Sequence, residues 1–313
     1  MKKKISIIVC LFTFLSFVVT GCGQKETSTR NVTIAYNPNA YASAVSQIMK
    51  TENILEKYLP EDVEVEWVEM SSASDIRDAL AAGTLDIATP ALTAYITASE
   101  NNLPIKLISN YGNAQVALYG CDGIKDITDF SSEDVIAIKG LNTNPHIAML
   151  AYCKENGLDL QMYNKILNKI PEAETIGMLS TGTDIEGAVL SYPMTKEADA
   201  LANCKKLIDF ADVIKEYNLG TVVCVNTDFY ENNEDLVNAF EKAHKSIVNN
   251  WKEALESNAA ILAEQYGCSV EEVKGFMTEL PPTMEITGYD KLANLMYECE
   301  MIEEAPKLYA DIK

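Results

Sequence analysis

Arginine is all but missing from this chain. Arg30 and Arg77 are the only two, so a site built on the guanidinium clamp for sulfonate, carboxylate or phosphate has little to draw on. Histidine is as scarce. His146 and His244 stand far apart, with no cysteine at metal-ligand spacing, which argues against a zinc framework. No two cysteines form C-x-x-C, and G-x-S-x-G, H-E-x-x-H and phosphate-cradling glycine loops are all absent. No nucleophile–base pair stands out, so the residues point away from an enzyme and call for no cofactor or metal. After the first nineteen residues no apolar run is long enough to span a bilayer. Positive charge is also short: 25 Lys+Arg face 46 Asp+Glu, a net charge of −21. That sign repels nucleic acid and anionic lipid, and excludes both as charge-driven partners.

What is present begins with Lys2 to Lys4 and an apolar stretch from Ile5 to Val19, the n- and h-regions of an export signal. Thr20 and Gly21 then precede Cys22, and V-T-G-C resembles the lipobox of bacterial lipoproteins. The resemblance implies cleavage after residue 21, a diacylglycerol on Cys22, and a membrane anchor on the extracytoplasmic face. The alternative is an ordinary secretory signal with an incidental cysteine; either way the mature chain leaves the cytoplasm. Residues 22–31 are polar and aperiodic, as a flexible tether is. Of eight cysteines, Cys10 leaves with the signal and six remain beyond Cys22. Several of the six sit in apolar patterns, which reads as small buried hydrophobes. Their spacing does not pair them.

From residue 32 strand and helix patterns alternate. NVTIAYNPN is strand-like, Tyr41 to Tyr58 is helical, and VEVEWVEM alternates as a half-buried strand does. SSASDIRDALAAG carries a Ser72–Asp75 helix start and a glycine stop at Gly83. LDIATP, PIKLISNYG and QVALYG are further strands. The alternation restarts after residue 120: DVIAIKG is a strand, NPHIAMLAYCKENG a helix with Asn144 as cap, NKILNKI a strand, and IEGAVLS, KKLIDF and TVVCVN three more. From Asn232 onward the chain reads as almost wholly helical. The pattern predicts an α/β protein of two lobes, each a mostly parallel sheet flanked by helices, with a helical C-terminal segment. The expected boundaries are 32–119 with 225–313 for the first lobe and 120–224 for the second. Two crossings, near Leu118–Asp122 and Val222–Val225, would form a hinge beside a cleft.

Four ordered segments carry a resemblance to a family. They are ALAAGTLDIATPALTAY (79–95), NNLPIKLISNYG (101–112), DITDFSSEDVIAIKGLNTNPHIAMLAYCKENGLDL (126–160) and IEGAVLSYP (185–193). Together they resemble the solute-binding proteins of ABC importers, in the sulfonate/nitrate/taurine branch that also holds binding proteins for thiamine-pyrimidine precursors. The resemblance implies the type II periplasmic-binding-protein fold and a monomer that captures a small organic solute between its lobes. It also implies delivery to a membrane permease with its ATPase. Thr89-Pro90 departs from the branch, where relatives often carry a glycine.

In open α/β sheets ligands bind beyond the carboxyl ends of the strands, where free helix N–H groups offer partial positive charge. The candidates there are Asn37, Asn39, Tyr41, Ser71, Ser72, Thr89, Tyr111, Asn142, Asn144 and Tyr192, which bring amides, hydroxyls and phenols suited to hydrogen bonding and ring stacking. Each has a plainer role open to it: Ser72 and Asn144 as caps alone, Asn37-Pro38-Asn39 as a turn, the tyrosines as packing. Trp67 reads as packing, His146 as a solvated first-turn residue, and His244 as surface. The tyrosine-rich loops favour a neutral or aromatic heterocycle, pyrimidine-like for example, while helix N-termini leave a small anion open as the alternative. Two other functions stay open: a solute-sensing lipoprotein that feeds a receptor, and a pyrimidine-synthase-like enzyme on the same fold. An export signal and only two histidines count against the enzyme.

Overall fold

The computed structural model describes residues 30–312 apart from Asp122. The expected signal peptide, residues 1–21, and the lipid site Cys22 lie outside the described residues. Of the expected tether only Arg30 and Asn31 are described, and they already belong to strand β1, Arg30–Tyr36. Ion pairs hold that strand end: the Arg30 guanidinium donates to Asp235 at 3.0 Å and lies 3.7 Å from Asp62.

The remaining strands are β2 Val63–Glu69, β3 Ile87–Ala88, β4 Ile105–Asn113, β5 Val116–Cys121, β6 Ile136–Ile138, β7 Leu167–Lys169, β8 Gly187–Ser191, β9 Cys204–Asp209 and β10 Gly220–Asn226. They form two five-stranded sheets, ordered β2-β1-β3-β10-β4 and β7-β6-β8-β5-β9. The alternating VEVEWVE becomes the edge strand β2, half-buried along its length. GTVVCVN, with the apolar run VVCV at its centre, becomes β10, buried at every residue because both its faces are covered.

The two sheets have the same plan. In each, four strands run one way and one runs against them: β10 in the first sheet, β5 in the second. That odd strand is exchanged between the halves. After β4 the chain leaves the first sheet and inserts β5 into the second; after β9 it returns and inserts β10 into the first. The crossings therefore lie between Asn113 and Val116 and between Asp209 and Gly220. The expected boundaries at 119/120 and 224/225 cut through β5 and β10. Neither strand has a polar face, so its side-chain pattern does not show which sheet it joins.

The crossing strands meet at two glycines. Thr221 pairs with Gly112 and Gly220 with Asn113. Gly112 has φ +147°, and a Cβ on Gly220 would stand 1.9 Å from the Gly112 carbonyl oxygen. Beside them the Asn110 amide donates to Asn218 Oδ1 at 3.0 Å and to the Glu285 carbonyl at 3.2 Å, tying both crossings to the segment that precedes the helix Tyr289–Glu298. That helix reaches the second lobe through Lys291, which bridges Glu155 and Glu216, and through Glu298 with Lys154.

Two residues read as surface or solvated are buried. His244 is fully buried in the helix Glu234–Asn249, with Nδ1 3.2 Å from Ser109 Oγ and the Tyr111 ring against its edge at 4.6 Å. Burial lowers its pKa from 6.5 to about 3. The unfolded chain thus takes up this proton first, and stability is lost as pH falls from about 6.5 toward about 3. His244→Phe is expected to flatten that part of the acid limb, which urea unfolding across the window checks. His146 is the second buried histidine.

Candidate functional site

The carboxyl ends of the two sheets meet at a cluster of aromatic rings. Tyr41 lies in the short 3₁₀ turn Tyr41–Ser43 that follows β1. Tyr192 follows β8 directly, before a cis bond to Pro193. Tyr266 ends the helix Leu255–Tyr266, and Phe276 lies in the helix Val270–Glu279. The Tyr192 ring sits 4.0 Å from Phe276, 6.2 Å from Tyr266 and 6.4 Å from Tyr41, edge-on to both tyrosines. Its hydroxyl donates to Cys268 Sγ at 3.4 Å. A ring from the second lobe is thus seated in the apolar core of the first.

An ion pair lies beside the rings. Lys196, in the helix Met194–Asp199 of the second lobe, is 2.6 Å from Glu272. Glu272 also accepts from the Ser269 N–H and hydroxyl in a capping box. The Lys196 hydrogen bond, then those of Ser269, hold the Glu272 carboxyl down to about 2. Between these two helices runs a groove of about 220 Å³ lined by Gln115, Thr195, Lys196, Asp199, Phe276 and Glu279 among others.

On the second lobe the loop after β6 is braced from within. Asn142, at φ +58°, donates its N–H to His146 Nδ1 at 2.9 Å. That leaves the other ring nitrogen as the donor to Asn164 Oδ1, at 2.8 Å. Burial lowers the His146 pKa and favours the neutral ring that these roles require. Asn144 begins the helix Asn144–Glu155; the cap is Thr143, not Asn144 as the sequence suggests. Asn144 Oδ1 is buried and has no hydrogen-bond partner among the described residues. Lys139, at the foot of the loop, donates to Ser191 Oγ at 3.2 Å and lies 4.0 Å from Glu172.

Among the expected site residues, Tyr41 and Tyr192 come together, and Asn142 and Asn144 share the braced loop. The others have contacts of their own. Asn37 Oδ1 accepts from the Asn39 N–H at 3.0 Å, which makes the segment a side-chain-stabilised turn. Ser72 caps its helix by accepting from the Asp75 N–H, and the neighbouring Ser71 is exposed. Thr89 is buried and donates its hydroxyl to the Ala35 carbonyl at 3.2 Å. Tyr111 is only 1 % exposed and packs on Phe240 and His244 inside the first lobe, so it offers the cleft no surface. Sequence reasoning missed Lys139, Lys196, Tyr266, Phe276 and Glu272. For Lys139 a signal exists: a cation that closes the buried strand IAIKG at its carboxyl end. The helical residues reach the rings only through tertiary packing and carry no such mark.

Comparison with known proteins matches this architecture. The family model described as NMT1/THI5 like matches residues 58–256. The taurine-binding periplasmic protein of Escherichia coli is 28% identical over 276 residues, 82% of each chain. Among solved structures, the periplasmic aliphatic sulphonate binding protein of Escherichia coli superposes with a TM-score of 0.75 at 16% identity, over 90% of this chain and 97% of that one. The alkanesulfonate-binding protein of Xanthomonas axonopodis pv. citri, bound to MOPS, gives 0.71 at 13% identity, over 88% and 95%. The chain belongs to the NMT1/THI5-like family and has the periplasmic-binding-protein fold.

Proposed function

We propose that this protein is a lipid-anchored, extracytoplasmic solute-binding protein that takes a small organic solute between its lobes and passes it to an ABC importer permease and its ATPase. The observation that carries the reading is the seating of Tyr192 from one lobe among Tyr41, Tyr266 and Phe276 of the other. Such a contact gives closure a defined end state, and closure around a solute is how a two-lobed binder presents a loaded form. The absence of a nucleophile–base pair in the sequence supports binding without turnover, and the relatives, described as binding proteins for taurine and sulfonates, support capture of a small solute. The protein acts as a monomer, anchored through Cys22.

Lys139 supplies one ammonium at the foot of the loop, bonded to the Ser191 hydroxyl and 4.0 Å from Glu172, and the loop above it carries Asn142 and Asn144. That set suits a small solute with one acidic group and a polar body. Thermal unfolding against taurine, alkylsulfonates, nitrate, pyrimidines and amino acids tests the proposal. A solute at a hundred times its Kd is expected to add about 2.7 kcal/mol of stability. Lys139→Met is expected to abolish the shift for an anionic solute and to spare it for a neutral one. A folded protein that responds to no solute in the panel would count against capture of these classes.

A further inference from the structure

Cys121 and Cys204 stand directly opposite each other, the last residue of β5 and the first of β9, in antiparallel register. The backbone of Cys121 is engaged elsewhere: its N–H donates to the Glu186 carbonyl at 2.8 Å, and its carbonyl accepts from Ile124 at 3.0 Å. Toward β9 it therefore forms the non-hydrogen-bonded kind of antiparallel pair, in which the Cα atoms approach to about 4.5 Å and side chains stand closest. A disulfide accepts Cα separations of roughly 4.4–6.8 Å. Both side chains lie on the same face of the sheet, against the apolar cluster of Leu179, Ile185 and Ala198. The Cys121 thiol donates to the Ile185 carbonyl at 3.3 Å, beside its cross-strand neighbour. No other two cysteines in the strand registers oppose each other among the described residues: Cys224 faces Ala88 and Leu107.

We propose that Cys121 and Cys204 are a disulfide site that staples the second lobe where the chain enters and leaves it. β5 is the first strand of that lobe and β9 the last, so the bond closes a loop over residues 122–203, which contains the lobe's other three strands. The oxidant is a second disulfide, either a small-molecule or a protein one. One cysteine thiolate attacks it, forming a mixed disulfide and releasing one thiol. The other cysteine then attacks the mixed bond, forming the Cys121–Cys204 bond and releasing the second thiol. Two electrons and two protons pass to the oxidant. Burial pushes the Cys204 thiol up to about 12, so the thiolate is scarce in the folded protein and the bond forms while the chain folds. Export supplies oxidising surroundings, but the geometry does not depend on export.

The test is refolding of the purified protein from urea in a glutathione/glutathione-disulfide buffer. Circular dichroism confirms the fold, and iodoacetamide under denaturing conditions followed by peptide mapping locates the thiols. The expected result is a linked peptide pair containing Cys121 and Cys204, two hydrogens lighter than the separate peptides, with Cys153 and Cys224 alkylated. Reductant is then expected to lower the thermal midpoint by at least about 5 °C, and to leave the C121A/C204A double variant unchanged. Alkylation of Cys121 and Cys204 to the same extent as Cys153 in the refolded protein would overturn the proposal. So would linkage of either cysteine to a different partner. Mapping the unsubstituted protein decides the matter even if the double variant does not fold.

Discussion

Gly220→Ala is expected to destabilise the protein by about 3 kcal/mol or more, at the top of the range for added core atoms. The added methyl would meet the Gly112 carbonyl oxygen at 1.9 Å, and the obstacle is backbone, which no rotamer change can clear. Moving that carbonyl aside means parting β10 from β4, the two strands whose ends form the crossings. Each is pinned: Asn110 in β4 is bonded to Asn218 and to Glu285. Gly177→Ala is the control. It lies in the helix Glu172–Thr181, and a Cβ there meets nothing within 4 Å, so the same change is expected to be neutral or to stabilise by up to about 1 kcal/mol. Urea unfolding of the two variants measures the difference. Equal stabilities would show that the crossing has room to relax.

Tyr192→Ala removes a ring that is 7 % exposed and touches three aromatic partners on the other lobe. Loss of a well-buried aromatic costs roughly 3 kcal/mol at the low end. Here the loss falls on the closed arrangement, because the partners belong to the first lobe and remain packed within it. A cost of that size corresponds to about a hundredfold in the closing equilibrium. Solute affinity is expected to weaken by about that factor, and the radius of gyration of the free protein to rise. Tyr192→Phe keeps the ring and loses only the hydrogen bond to Cys268 at 3.4 Å, an effect expected to stay under about 1 kcal/mol. Calorimetric titration and small-angle scattering together decide it. Unchanged affinity in the alanine variant would mean that Tyr192 packs without governing closure.

The sequence was most legible where one face of an element is wet. VEVEWVE declares its alternation because one side of β2 is polar, and SSASD declares its cap because Ser72 has a donor to satisfy at Asp75. It was least legible where packing decides. β5 and β10 are apolar on both faces, so their exchange between sheets leaves no trace in the pattern. NKILNKI reads as a strand, yet the helix Leu160–Ile166 runs through half of it before β7. Asp159 caps that helix by accepting from Gln161 and Met162, and LQMYNKI then continues the turn. The site shows the same division. Tyr41 and Tyr192 follow buried strands, the position from which the sequence proposes them as contacts, and their rings meet. Tyr266 and Phe276 join them because two distant helices fold back, while Tyr111, expected at the cleft, and His244, expected at the surface, are both buried inside the first lobe.

The exchange of β5 and β10 also bears on when this chain can fold. The first sheet has a gap between β3 and β4 that only β10 fills, and β10 ends at Asn226. A growing chain that has already produced β1 to β4 holds a divided sheet with open edges and cannot complete it until the whole second half has followed. The first lobe to be synthesised is thus the last to close. Long-range pairing of this kind delays the compact state, and the delay keeps the leading part of the chain in a threadable form for most of its synthesis.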